Sequence, residues 1–216
     1  MTISHHLDDA TLVAYASGNL AEAHGIVVEA HVAMCATCRA GLRQAESLGG
    51  AVLVDQTEAA VSDLCRSATL ASLDAVMAQT TKVKVASGEV PQVLSRLLNG
   101  KPLSELAWKK KAPGVSMFDL PTSKGSKTRL KLLSIKPGSA MPEHGHGGEE
   151  ITLILKGAYR DHMGLFQAGD VADLDQDVEH TPVVVGNEVC ICLVALEAPT
   201  RFKSIWARLA QPFVGI

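Results

Sequence analysis

The stretch His31-Val32-Ala33-Met34-Cys35-Ala36-Thr37-Cys38 decides how the first part of this chain is read. On a continuous helix, residues 31, 35 and 38 project within about 60° of one another, because four and seven steps nearly complete whole turns. One imidazole and two thiolates on one stripe supply three of the four donors of a tetrahedral zinc site. A break near Cys35, with a new helix starting there, adds the positive end of that helix and lowers the thiol pKa. The fourth donor is expected upstream, in His5-His6. A bare CxxC redox pair expects a strand–loop–helix setting, whereas helical periodicity flanks this segment on both sides.

Working outward, Asp8 or Asp9 can cap a first helix running to about Ser17, stopped by Gly18-Asn19. A second helix is expected over about 21–34 and a third over about 37–54, bending or fraying at Gly49-Gly50. Three short helices bury little core, and a metal staple is the usual remedy at that size. After a polar, alanine-rich break, a fourth helix is expected over about 63–79, with Leu70, Leu73, Val76 and Met77 along one side. It packs either into a partner's groove or back on the first three. Cys65, near its start, reads as structural or as a free thiol.

Composition narrows the class. Aromatic residues are only 4% of the chain, so its cores are built on Leu, Val, Ile and Ala. The longest apolar run, Val189 to Leu196, is far short of a membrane span. The first residues show no basic and apolar signal regions, and five cysteines in short-spaced groups do not resemble a secreted disulfide framework. A cytoplasmic protein without membrane contact is expected. The net charge of −3 hides an asymmetry: residues 1–80 hold nine acidic side chains against three basic ones. Such a region is poorly suited to direct nucleic-acid binding. It suits a basic protein partner, or is merely a solvated acidic surface.

Beyond a linker at 81–91, the period changes from 3.6 to 2. A short helix over about 92–99 precedes strands expected at 106–110, 115–120, 127–135, 151–156, 159–166, 170–174, 181–185 and 189–196. The fold class is therefore α+β in two domains, residues 1–80 and 92–216. Within the β half, His144 and His146 are two apart and share a strand face. Glu150 can return to that side after a Gly147-Gly148 turn, and His180 follows on a neighbouring strand. Three imidazoles and a carboxylate suit Zn, Fe, Mn, Ni or Cu. Cys190 and Cys192 share one face of the last strand, either as packed cysteines or as a redox pair.

The segment Gly138-(x5)-His144-x-His146-(x3)-Glu150-(x6)-Gly157 resembles the first cupin motif at every defined position. The second motif fits in part: Gly169 and His180 have the right separation, but Asp175, Asp177 and Val184 replace its Pro, Gly and Asn. A helical HxxxCxxC module followed by a cupin is similar to the ChrR-type zinc-binding anti-sigma factors, over nearly the whole chain. That resemblance implies a zinc-stapled helical bundle with His6, His31, Cys35 and Cys38 as ligands, followed by an all-β jelly-roll cupin barrel. It further implies a second metal, zinc or another divalent transition metal, at His144, His146, Glu150 and His180. The partner it implies is an extracytoplasmic-function (ECF) sigma factor, released on oxidative stress such as singlet oxygen or organic hydroperoxide. The competing reading is a metal-dependent, dioxygenase-like cupin enzyme, with Tyr159 and His162 as groups near its metal.

Overall fold

A computed structural model describes residues 2–78, 88, 90–145, 147–198 and 201–202 of the 216-residue chain. Four helices come first: α1 (Asp9–Ala16), α2 (Glu22–Met34), α3 (Ala36–Val54) and α4 (Asp63–Ala78). A short α5 (Gln92–Leu97) and a 3-10 turn (Leu103–Glu105) lead into the β region. Of the expected linker, only Gly88, Val90 and Pro91 are among the described residues. His146 lies outside them, as do the side chains of Val76 and Met77.

The β region is built from β1 (Lys109–Ala112), β2 (Val115–Leu120), β3 (Arg129–Ile135), β4 (His144–Gly145), β5 (Glu150–Lys156), β6 (Ala158–Asp161), β7 (Gly164–Gln167), β8 (Val171–Leu174), β9 (Glu179–His180), β10 (Val183–Val184), β11 (Cys190–Leu196) and β12 (Arg201–Phe202). A six-stranded antiparallel sheet in the order β1-β2-β3-β11-β5-β8 accompanies two three-stranded sheets, β10-β6-β7 and β12-β4-β9. The apolar run at 189–196 becomes β11, the centre of the large sheet, and both of its faces are covered. Leu193 and Ala195 pack with the helices, while Cys190, Cys192, Val194 and Leu196 point to the opposite core. Burial on both faces is why this strand reads as continuous rather than alternating.

Helix α2 supplies that cover. Ala23, Val27, Val28 and Ala30 are fully buried, in one cluster with Leu130 and Leu132 of β3 and Ile151 and Leu153 of β5. Each buried valine contributes on the order of 1.5–3 kcal/mol. The helices therefore rest on the sheet as well as on one another.

Several local expectations change. Asp8 occupies the N-cap position of α1, but its side chain makes no cap bond, and its backbone N–H goes to Asp173 Oδ2. Helix α3 runs through Gly49-Gly50 to Val54 without stopping. The single strand expected at 159–166 is a hairpin of β6 and β7, turned where the Asp161 carboxylate accepts the Met163 N–H. The strand expected at 106–110 begins only at Lys109, because Leu103–Glu105 forms the 3-10 turn.

Candidate metal centres

The first centre forms at a break in the chain. Cys35 is extended (φ −102°, ψ 115°), which ends α2 and starts α3, and the two helices bend by 118° there. The chain thus takes the second of the two routes open to HxxxCxxC, with Cys35 as the N-cap of α3. Its Sγ accepts the Cys38 N–H at 3.4 Å, so both sulfurs sit at the positive end of a helix.

His31 Nε2 lies 3.2 Å from Cys38 Sγ, and His6 Nδ1 lies 3.3 Å from Cys35 Sγ and 3.7 Å from Cys38 Sγ. All four donor atoms fall within 4.8 Å of one another. Tetrahedral zinc with ordinary bond lengths places N and S donors about 3.6 Å apart, and the observed separations bracket that value. His5 goes elsewhere: its ring stacks on Phe166 at 3.9 Å and faces Asp170.

The electrostatics match a cation site. Burial lowers the His31 pKa to about 4, outweighing an upward pull from the Gly169 carbonyl, and so keeps the imidazole neutral. Burial, with Cys35 beside it, raises Cys38 to about 11, while the Leu7 backbone N–H pulls the other way. Without a cation the Cys38 thiol stays protonated; a bound metal reverses this by stabilising the thiolate. The cluster can hold a metal.

The second centre lies inside the β region. Strands β4 and β9 pair His144 directly with His180, and their Nε2 atoms face each other at 3.1 Å. His144 Nδ1 faces the Pro142 carbonyl at 2.8 Å, and His180 Nδ1 faces the buried Asp161 carboxylate at 2.9 Å. Each Nδ1 therefore carries the hydrogen and donates it, which leaves two Nε2 lone pairs pointing together. A contact of that kind requires a proton or a metal between the rings, and outer hydrogen bonds of this type orient metal-bound imidazoles.

Glu150, at the start of β5, accepts a hydrogen bond from Thr152 at 3.0 Å and lines the same cavity as both histidines. The cavity, about 50 Å³, is walled mostly by apolar groups such as Leu133, Ile135, Met141 and Val194, with Lys131 and Thr152 also lining it. It has room for a few water-sized molecules.

Tyr159 also lines the cavity, and burial raises its pKa well above the ordinary phenol value, so it stays protonated. His162 is exposed and does not line it. Cys190 and Cys192 form part of the wall with sulfurs 3.6 Å apart. The hydrogen bond between them lowers the Cys190 pKa and raises that of Cys192. Cys65 is an exposed free thiol. Asp161 was not legible from spacing, since the turn that aims it at His180 comes from the unforeseen hairpin.

The chain is 39% identical to the anti-sigma-E factor ChrR of Cereibacter sphaeroides, over 100% of both chains. It belongs to the ChrR anti-sigma factor family. Within it, residues 101–199 match the ChrR cupin-like domain. The crystal structure of Rhodobacter sphaeroides SigE in complex with the anti-sigma ChrR is similar at TM-score 0.75 and 39% identity. That match covers 90% of this chain and 100% of the other. A cupin protein from Ralstonia eutropha matches at TM-score 0.43 and 18% identity, over 53% of this chain and 83% of its own. As in the family's solved structure, a helical N-terminal region is joined to a C-terminal cupin-like β domain. Among the described residues, no single helix is long and apolar enough to cross a membrane.

Proposed function

We propose that this chain sequesters an ECF sigma factor and releases it under oxidative stress. One observation carries the reading. Every described side chain from Glu46 to Leu73 is exposed, and among them are Leu48, Val52, Leu53, Val54, Val61, Leu64, Leu70 and Leu73. An apolar patch of that kind on consecutive helices marks a protein-binding surface, and apolar residues at helical spacing suit a groove in a partner. The acidic charge of residues 1–80 supports a partner that presents basic, nucleic-acid-facing surfaces.

In this reading zinc occupies His6, His31, Cys35 and Cys38, where it supplies the link that fixes the angle between α2 and α3. A donor set of two thiolates and two neutral imidazoles fits zinc and fills all four tetrahedral positions. The second metal, zinc or another divalent ion, is held by His144, His146, Glu150 and His180. Its small apolar cavity suits a compact oxidant, singlet oxygen or an organic hydroperoxide, reaching groups such as imidazole and thiol that oxidise readily.

The test is co-expression of the full chain with each ECF sigma factor of its host, followed by affinity capture. Wild-type chain retains one sigma factor, and the double variant Leu64→Asp/Leu70→Asp, which leaves both metal centres untouched, loses it by at least 100-fold. Retention by the double variant, or capture of no sigma factor by the wild type, removes the reading.

A further inference from the structure

Asp170 is fully buried at the turn between β7 and β8, yet its Oδ1 bonds reach out of the β region to the N-terminal segment. Its Oδ1 accepts the backbone N–H of Ser4 at 2.7 Å and of His5 at 3.0 Å, while Oδ2 accepts the N–H of Gln167 at 2.9 Å. The same segment is tied twice more. Val171 N–H donates to the His5 carbonyl at 3.4 Å, and Asp8 N–H donates to Asp173 Oδ2 at 3.1 Å. His6 lies between these anchors and turns its Nδ1 onto Cys35 and Cys38.

Gly169 completes the seat. It has φ +94°, and a Cβ there would meet Ile3 Cγ1 at 2.8 Å, so the N-terminal segment lies directly against this turn.

We infer that Asp170 is a positioning residue for the N-terminal metal centre, holding the Ser4–Asp8 strap so that the cupin domain delivers His6 to the other three donors. The inference rests on the reading of His6, His31, Cys35 and Cys38 as that centre. The physical reason is economy of freedom. His6 is separated from Cys35 by 28 residues, so its donor atom must be held by something other than the HxxxCxxC segment. Three backbone bonds to one carboxylate and its neighbour fix the residue immediately before it.

The strap also joins a ring column: Tyr159 on the cavity wall stacks on Phe166 at 4.9 Å, and Phe166 stacks on His5 at 3.9 Å.

The experiment uses the full chain in four forms: wild type, Asp170→Ala, Ser4→Pro and His6→Ala. Ser4→Pro removes one of the strap's N–H donors without altering the β region. Cobalt replaces zinc as the probe, because sulfur-to-cobalt absorption reports the thiolate centre and not the His/Glu set. Metal retention against a chelator and the thermal unfolding of the β region are followed in parallel. Asp170→Ala and Ser4→Pro should each release metal about 10–100-fold more readily. Both should shift the cobalt spectrum toward that of His6→Ala, with β-region unfolding unchanged in Ser4→Pro. Wild-type retention and spectrum in Ser4→Pro overturn the inference, whatever Asp170→Ala does. Wild-type retention in His6→Ala instead overturns the metal assignment on which it rests.

Discussion

The two candidate centres are built by opposite means. At the N-terminal centre a seven-residue spacing and a helix break bring three donors together locally, and a distant strap adds the fourth. At the second centre no short segment suffices: β4, β5 and β9 each bring a residue, and Asp161 and Pro142 aim the rings. The first has four strong donors and no open position, the pattern of a structural metal site. The second opens on a cavity, the pattern of a site that meets small molecules. The difference teaches that one chain can close one donor set on itself and leave another facing a cavity.

The sharpest way to break this contrast is Cys35→Ala. A closed structural centre should lose its zinc altogether, with a loss of metal-linked folding free energy on the order of 10 kcal/mol. Zinc content and far-UV circular dichroism of the full chain check it, and helix content preserved without zinc argues against a structural role. Next in size is Asp161→Asn, which keeps the shape but removes the carboxylate facing His180. It should weaken metal at the second centre about 10–100-fold and leave the thiolate centre intact. Metal analysis of purified protein reads both at once.

Gly157→Ala tests the cupin frame without touching either donor set. Gly157 has φ +72°, and a Cβ would lie 2.6 Å from the Val189 carbonyl oxygen and 2.9 Å from Cys190 Cα, both backbone atoms that cannot swing away. A loss of roughly 2–3 kcal/mol in unfolding free energy is expected, measured in urea.

The smallest effect is Asp119→Asn. The hydrogen bond from Lys131, at 2.6 Å, holds the Asp119 carboxyl below its ordinary value. A depressed folded pKa contributes stability above the unfolded value and loses it as pH falls through the folded one. Asp119 is half exposed, so the variant should cost about 1 kcal/mol or less at pH 7. The gap between variant and wild type should close as pH falls below about 4 in thermal melts.

The sequence by itself carried the order of helices before strands, the HxxxCxxC donor triplet, and His144 with Glu150, because each depends on spacing within one short stretch of chain. It left open whether His5 or His6 turns toward the cysteines, since neighbours in an extended segment differ only in which side they face. Tertiary structure decided that: Asp170 and Phe166 engage His5, and His6 faces the sulfurs. It also decided that α2 covers the six-stranded sheet, and that a β6–β7 hairpin aims Asp161 at His180. These are contacts between residues far apart in the chain, and periodicity has no register for them. Local spacing fixes which donors can meet; only packing of distant segments fixes which of them do.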